Sequence, residues 1–216
     1  PAFEAFYREH LRKIVWLRGG GRYLSKGNYN FTRLGYLARL FPEARFLVPV
    51  RDPVEHVDSL VRQHRQFCEY AKADARVAEY LKIAGHFEFG PQRQPLRLDT
   101  ESPQRTRAAW EAGEEHRGYA VQWRAAYQFL QDQLAQQPEL RARVLFVRHE
   151  DFCESPRTLM RQILEFTELP TTGLGTQTFD HIRPSPFIRA KLPAKIVREI
   201  AHETSRTARD CGYECD

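Results

Sequence analysis

Three places along this chain hold charged or titratable side chains just after a segment of extended character, where a ligand could be bound. Arg51 directly follows an apolar run, and Asp52-Pro53 comes next, an Asp N-cap with Pro in the first turn of a helix. An Arg at a strand end beside the positive N-terminal end of a helix is suited to a phosphate. At about 100° per residue, Val54, Val57, Leu60 and Val61 form one apolar arc, and Ser59 falls nearly opposite it, beside Glu55 and Arg62. Arg51 and Ser59 can therefore hold one phosphate together; equally, Ser59 can be solvated and Arg51 can be a structural ion-pair partner. Lys26 and the run His149-Glu150-Asp151 are the other two places, each following a segment of extended character.

The elements that must position these groups follow from periodicity and turn chemistry. Phe3, Phe6, Tyr7, Leu11, Ile14 and Val15 have helical spacing, and Gly19-Gly20-Gly21 ends that helix. Arg22–Lys26 is short and extended, and Phe31–Leu40 is helical. Arg45–Val50 reads as a buried strand, and the helix after Pro53 runs to about Gln66, with a continuation after a break through Cys68–Ala84. Residues 85–118 hold Gly90-Pro91, Pro95 and Ser102-Pro103 with little periodicity, and are expected to be a long loop, a mobile lid or an insertion. Tyr119–Leu134 is helical, Val144–Arg148 is a second strand, Ser155-Pro156 starts another helix, and a last helix spans Ala194 to about Arg209. Strands alternating with helices imply an α/β fold with a parallel sheet, whose ligands gather at the C-terminal strand ends.

Composition narrows the function. The chain has 216 residues, 42% of them hydrophobic, and a net charge of +5, enough for one substantial core and unlike a disordered chain. No apolar run approaches the roughly 18 residues of a membrane span. Four scattered cysteines do not make a disulfide scaffold, so a soluble protein of a reducing, cytoplasmic compartment is expected. Residues 1–66 carry 12 Lys/Arg against six Asp/Glu, and the remainder 21 against 22, so the basic excess lies in the first third. Arg outnumbers Lys 27 to six, and Arg suits planar phosphate recognition. Cys211 and Cys215 lack suitably spaced His partners for a zinc site. His56 and His64 are assigned to the helix surface, and Trp123 and Tyr127 to the core rather than to a base-stacking site.

Two blocks resemble a known family. Arg51-Asp52-Pro53 with Ser59 eight positions after the Arg resembles the 3′-phosphate-binding motif of sulfotransferases that use 3′-phosphoadenosine 5′-phosphosulfate (PAPS), and FPEARFLVPV over 41–50 is similar to the strand entering that motif. The sequence VLFVRHEDFCESPRTLMRQILEFTELP over 144–170 resembles the family's later strand–acid–helix block, with His149 in place of Tyr and Phe152 in place of Leu. Lys26 matches a Lys that family members carry after a strand, and Phe31 matches a Phe five positions on.

The resemblance implies a P-loop-NTPase-like parallel sheet flanked by helices, in one sulfotransferase-like domain over 1–216. It implies transfer of a sulfuryl group from PAPS to a hydroxyl or amine of a small molecule, carbohydrate or lipid, leaving 3′-phosphoadenosine 5′-phosphate. Arg51 and Ser59 would bind the 3′-phosphate, and Lys26 would stabilise charge on the leaving 5′-phosphate. Arg183, Ser185, Arg189 and Lys191 lie where a late loop closes over the nucleotide. Asn28 stands where one subgroup has its His base, so the base is sought elsewhere, with Glu4, Glu9 and His10 as candidates. No loop cradling the 5′-phosphosulfate is found, and the resemblance places it upstream of Pro1. Neither a metal nor a nucleic-acid partner is expected. Two alternatives stay open: a phosphotransferase on a related fold, and a non-catalytic basic polyanion or nucleic-acid binder.

Overall fold

A computed structural model describes residues 2–172, 179, 182 and 191–214 of the chain. They fall into two compact units, Pro1–Ala44 and Arg45–Asp216.

The first unit is built on α1 (Ala2–Leu17) and α2 (Leu34–Leu40), the latter entered through a 3₁₀ turn at Asn30–Arg33. Tyr7, Leu11, Ile14 and Val15 are the half-buried apolar side of α1, and the Tyr7 ring meets Phe41 edge-on at 5.6 Å. The end of α1 is set by glycine: Gly19 adopts φ +61°, its N–H bonds Trp16 O, and the Gly20 N–H bonds Val15 O. This is a Schellman closure, and the left-handed residue suits Gly. Arg22–Lys26 forms no strand, contrary to expectation; the segment is irregular and Leu24 is 91% exposed. An extended segment becomes a strand only where a neighbour takes up its backbone groups, and among the described residues strand pairing joins β1 and β2 alone.

The second unit holds that pair. β1 (Phe46–Val50) and β2 (Val144–Arg148) run parallel, in register from Phe46 opposite Val144 to Val50 opposite Arg148. β1 is not buried on both faces as expected: its burial alternates, and Leu47 is 36% exposed. Pro49 lacks an N–H and fits a strand with one paired edge; its carbonyl accepts the Tyr127 hydroxyl at 3.0 Å.

Between the strands lie α3 (Pro53–Ala73), α4 (Arg76–Ile83), α5 (Ser102–Glu111), α6 (Glu115–Gln136) and the short α7 (Pro138–Arg141); α8 (His149–Glu154), α9 (Pro156–Phe166) and α10 (Ala194–Asp210) follow β2. α3 continues to Ala73, beyond its expected end at Gln66. Its valines 54, 57 and 61 pack with Val50, with Tyr119, Ala120 and Trp123 of α6, and with Ile200 and Ala208 of α10. Trp123 is thus a core residue, as expected.

The segment 85–118, expected as a loop, contains α5. Asp99 accepts the Glu101 and Ser102 N–H groups and the Ser102 hydroxyl, fixing the helix start. The buried side of α5 is Ser102, Thr106 and Ala109, small or polar residues that leave no apolar period in the sequence. Arg124 of α6 donates to Ser102 Oγ at 2.9 Å and to Glu203 Oε1 of α10 at 2.8 Å, and Arg105 of α5 donates to the other Glu203 oxygen. One carboxylate thereby ties three helices.

α5 and α6 approach so closely that a Cβ on Gly118 would lie 2.3 Å from Cδ1 and Nε1 of Trp110. Gly118→Ala should therefore destabilise the protein by about 1–3 kcal/mol through overpacking. Gly21→Ala, at a position open to solvent, should stay within about 0.5 kcal/mol of the parent. Urea unfolding midpoints of the two variants check the difference.

Candidate functional site

The parallel register sends the chain out of β1 and β2 side by side, since Val50 opposes Arg148. Leaving β1, Arg51 leads into the N-terminus of α3. Asp52 is the N-cap there: its Oδ1 accepts the Val54 and Glu55 N–H groups at 2.9 and 3.0 Å, and Pro53 occupies the first turn. The Asp52 N–H is itself taken by Glu150 Oε1 at 3.0 Å, and Glu150 Oε2 accepts the Tyr213 hydroxyl at 2.7 Å. Arg148, the last residue of β2, lies over the Tyr213 ring at 4.5 Å. Three segments remote in sequence therefore meet at one carboxylate.

Burial alone would raise the Glu150 carboxyl above its ordinary value. The Asp52 N–H, the Tyr213 hydroxyl and the neighbouring His149 outweigh it and hold the group below that value, so it is charged at neutral pH. Burial and the facing Glu150 charge push the Tyr213 hydroxyl the other way, so that proton stays on the tyrosine.

The Arg51 side chain is 19% exposed, and its NH2 lies 3.3 Å from Oε2 of Glu55, which is 9% exposed. Ser59 is half-buried, one helical turn beyond Glu55 and three residues before Arg62. The face of α3 around it was expected to be open; instead Glu55 and Asp58 are buried. Asp58 is covered because His116 of α6 reaches its Oδ1 at 3.3 Å while Arg62 donates to Oδ2 at 2.9 Å.

His56 and His64, expected on the surface of α3, are also shielded. His56 Nδ1 is cut off from solvent, with no hydrogen-bond partner among the described residues. Burial first, then the Arg51 charge, brings the His56 pKa down to about 4 against the opposing pull of Glu150. His64 is lowered to about 4 by burial and Arg93, against Glu115. It lies 3.6 Å from both Glu115 Oε1 and Cys68 Sγ. Burial raises the Cys68 thiol, which makes it a poor nucleophile.

The remaining sequence candidates belong to other elements. Lys26 and Asn28 are exposed in the first unit, in the irregular stretch that enters a turn where the Asn30 N–H bonds Gly27 O. In the same unit Glu4 pairs with Arg39 at 3.5 Å and Glu9 with Arg12 at 2.6 Å, while His10 stacks on Phe6. Lys191 is exposed, three residues before α10. Arg183, Ser185, Arg189 and Cys215 lie outside the described residues. Cys211 is buried and its thiol is pushed up to about 11 by that burial. His149, first residue of α8, sits 3.5 Å from Cys153 Sγ. Among the described residues no three His, Cys, Asp or Glu side chains converge to hold a metal, and no helix is long and apolar enough to cross a membrane.

The role of Glu150 escaped the sequence reading in part: the acidic run after β2 was visible, but not that its middle residue would bond a backbone 98 positions away. Tyr213 carried no signal.

Over residues 2–87 the chain matches the model of the sulfotransferase family. That stretch runs from α1 through α4 and contains Lys26, Arg51 and Ser59, and the class it points to is a sulfuryl-group transferase. No curated protein matches the chain.

The two buried histidines make stability depend on pH. With folded pKa values of about 4 against an ordinary 6.5, the unfolded chain takes up protons first on acidification, so stability is full above 6.5 and falls as pH drops toward 4. Between pH 7 and pH 5 each histidine should cost about 2 kcal/mol. Urea titrations at the two pH values should show this loss, and His56→Leu and His64→Leu should each remove about half of it.

Proposed function

We propose that this chain binds PAPS and moves its sulfuryl group to an acceptor hydroxyl or amine. One observation supports this most: within the segment that matches the sulfotransferase family, Arg51 leaves the end of β1 next to the capped N-terminus of α3, with Ser59 two turns along the same helix. In this reading Arg51 meets the 3′-phosphate of the donor with its planar guanidinium, Ser59 donates its hydroxyl, and the α3 N-terminus adds its positive end. Arg183 and Lys191, from the late segment, add cationic contacts to the nucleotide.

Lys26 serves the chemistry. The acceptor oxygen or nitrogen attacks the sulfur as the bond from sulfur to the 5′-phosphate oxygen breaks, and the electron pair stays on the phosphate. A fixed ammonium near that oxygen lowers the barrier because the charge appears in the transition state rather than the ground state. The proton lost by the acceptor passes to a base. Asn28, an amide, does not take that role.

Titration calorimetry with 3′-phosphoadenosine 5′-phosphate and with AMP tests the reading. The 3′-phosphate should improve binding by about tenfold or more, and Arg51→Ala should abolish the preference, with Ser59→Ala reducing it by a smaller factor. Equal affinity of the parent protein for both nucleotides would sink the proposal. Lys26→Ala should leave nucleotide affinity nearly unchanged and slow the conversion of PAPS to 3′-phosphoadenosine 5′-phosphate by about 100-fold or more.

A further inference from the structure

Building on the phosphate reading of Arg51, we propose that Glu150 is a positioning residue for the phosphate grip, held in place by Tyr213. The atom Glu150 anchors is the nitrogen of the peptide linking Arg51 to Asp52. Fixing that peptide plane fixes the ψ of Arg51 and the φ of Asp52, the two torsions that decide how the chain turns from strand to helix and where the Arg51 side chain sets out. Asp52 has φ −42° and ψ 127°, a non-helical pair that lets its carboxylate fold back onto the Val54 and Glu55 N–H groups.

The sequence around α3 has the form of a capping box, Asp52 at the N-cap and Glu55 three residues on, in which the later carboxylate accepts the N-cap N–H. Here an acceptor for that N–H comes from Glu150, 98 residues away, while Glu55 Oε2 takes a bond from Arg51. A local motif is thus completed by a distant residue, and the division lets one helix start both cap itself and orient the arginine. Tyr213, just past α10, occupies the second Glu150 oxygen, and the Arg148 guanidinium lies on the tyrosine ring. The orientation of Arg51 then depends on packing of the residues after α10, which no contact local to α3 would require.

Glu150→Ala removes both acceptors, whereas Glu150→Gln keeps an oxygen for Asp52 N–H and an amide that the Tyr213 oxygen can accept. Two readouts separate positioning from general stability. In ligand-free protein, amide hydrogen exchange at Asp52, Val54 and Glu55 should accelerate about tenfold or more in Glu150→Ala, with mid-α6 amides unchanged. In nucleotide binding, the preference for 3′-phosphoadenosine 5′-phosphate over AMP should fall by about tenfold in Glu150→Ala, stay near the parent value in Glu150→Gln, and fall partway in Tyr213→Phe. A folded Glu150→Ala protein with parent-like exchange and preference overturns the inference. If Glu150→Ala does not fold, Tyr213→Phe carries the same two readouts, and its indifference in both overturns it equally. A parent protein that ignores the 3′-phosphate overturns the phosphate reading instead, and exchange alone then decides the anchor.

Discussion

The second unit depends on how one half-buried carboxylate is satisfied. Glu150 sits where the two parallel strands end, and an ionised carboxyl in that position is costly unless its lone pairs are used. A backbone N–H from the turn after β1 and a hydroxyl from the residues after α10 use them. Because each donor is fixed by its own element, the carboxylate joins the exit of β1, the exit of β2 and the C-terminal tail. The direction of α3 follows, and with it the placement of every functional candidate on that helix.

α3 is unusual in being covered on two sides by different chemistry. Valines 54, 57 and 61 face the core made with α6 and α10. The other side carries Glu55, Asp58 and His64, all buried, and each meets a charged or polar partner: Arg51, His116 with Arg62, and Glu115. A charged group survives such burial when a partner is brought to it, and the partners of Asp58 and His64 come partly from the first residues of α6. The first turns of α3, read by their apolar arc, therefore look half-solvated when they are not.

This is also the boundary of what the sequence could disclose. Local signals were legible: the glycines that close α1, the Asp52-Pro53 start of α3, and the two apolar runs that became β1 and β2. Arg51 was placed correctly at a strand end for the same reason. What failed were features decided by neighbours. Arg22–Lys26 had an extended composition but found no strand to pair with. α5 buries Ser102, Thr106 and Ala109, so its inward side has no hydrophobic period. The shielding of His56 and His64, the closure over Asp58, and the bond from Asp52 to Glu150 all come from segments dozens of residues away, and side-chain spacing along α3 contains no trace of them.

The charge distribution bears on which anion the Arg51 site would select. Residues 51–66 carry three Arg against three acidic residues, so the +6 of residues 1–66 lies wholly in residues 1–50, with nine Lys/Arg against three Asp/Glu. His56, beside Arg51, is neutral at pH 7 and adds nothing. Residues 51–66 therefore bring no net positive charge of their own to the α3 start. A ligand there must compete with Glu55 for the Arg51 guanidinium, and a second monoanionic carboxylate would gain little by doing so. A phosphate monoester brings close to two charges and three acceptor oxygens, enough to share the arginine's planar fork with Glu55 and still engage Ser59 and the helix end. Discrimination at this site would accordingly come from directed hydrogen bonds rather than from net charge.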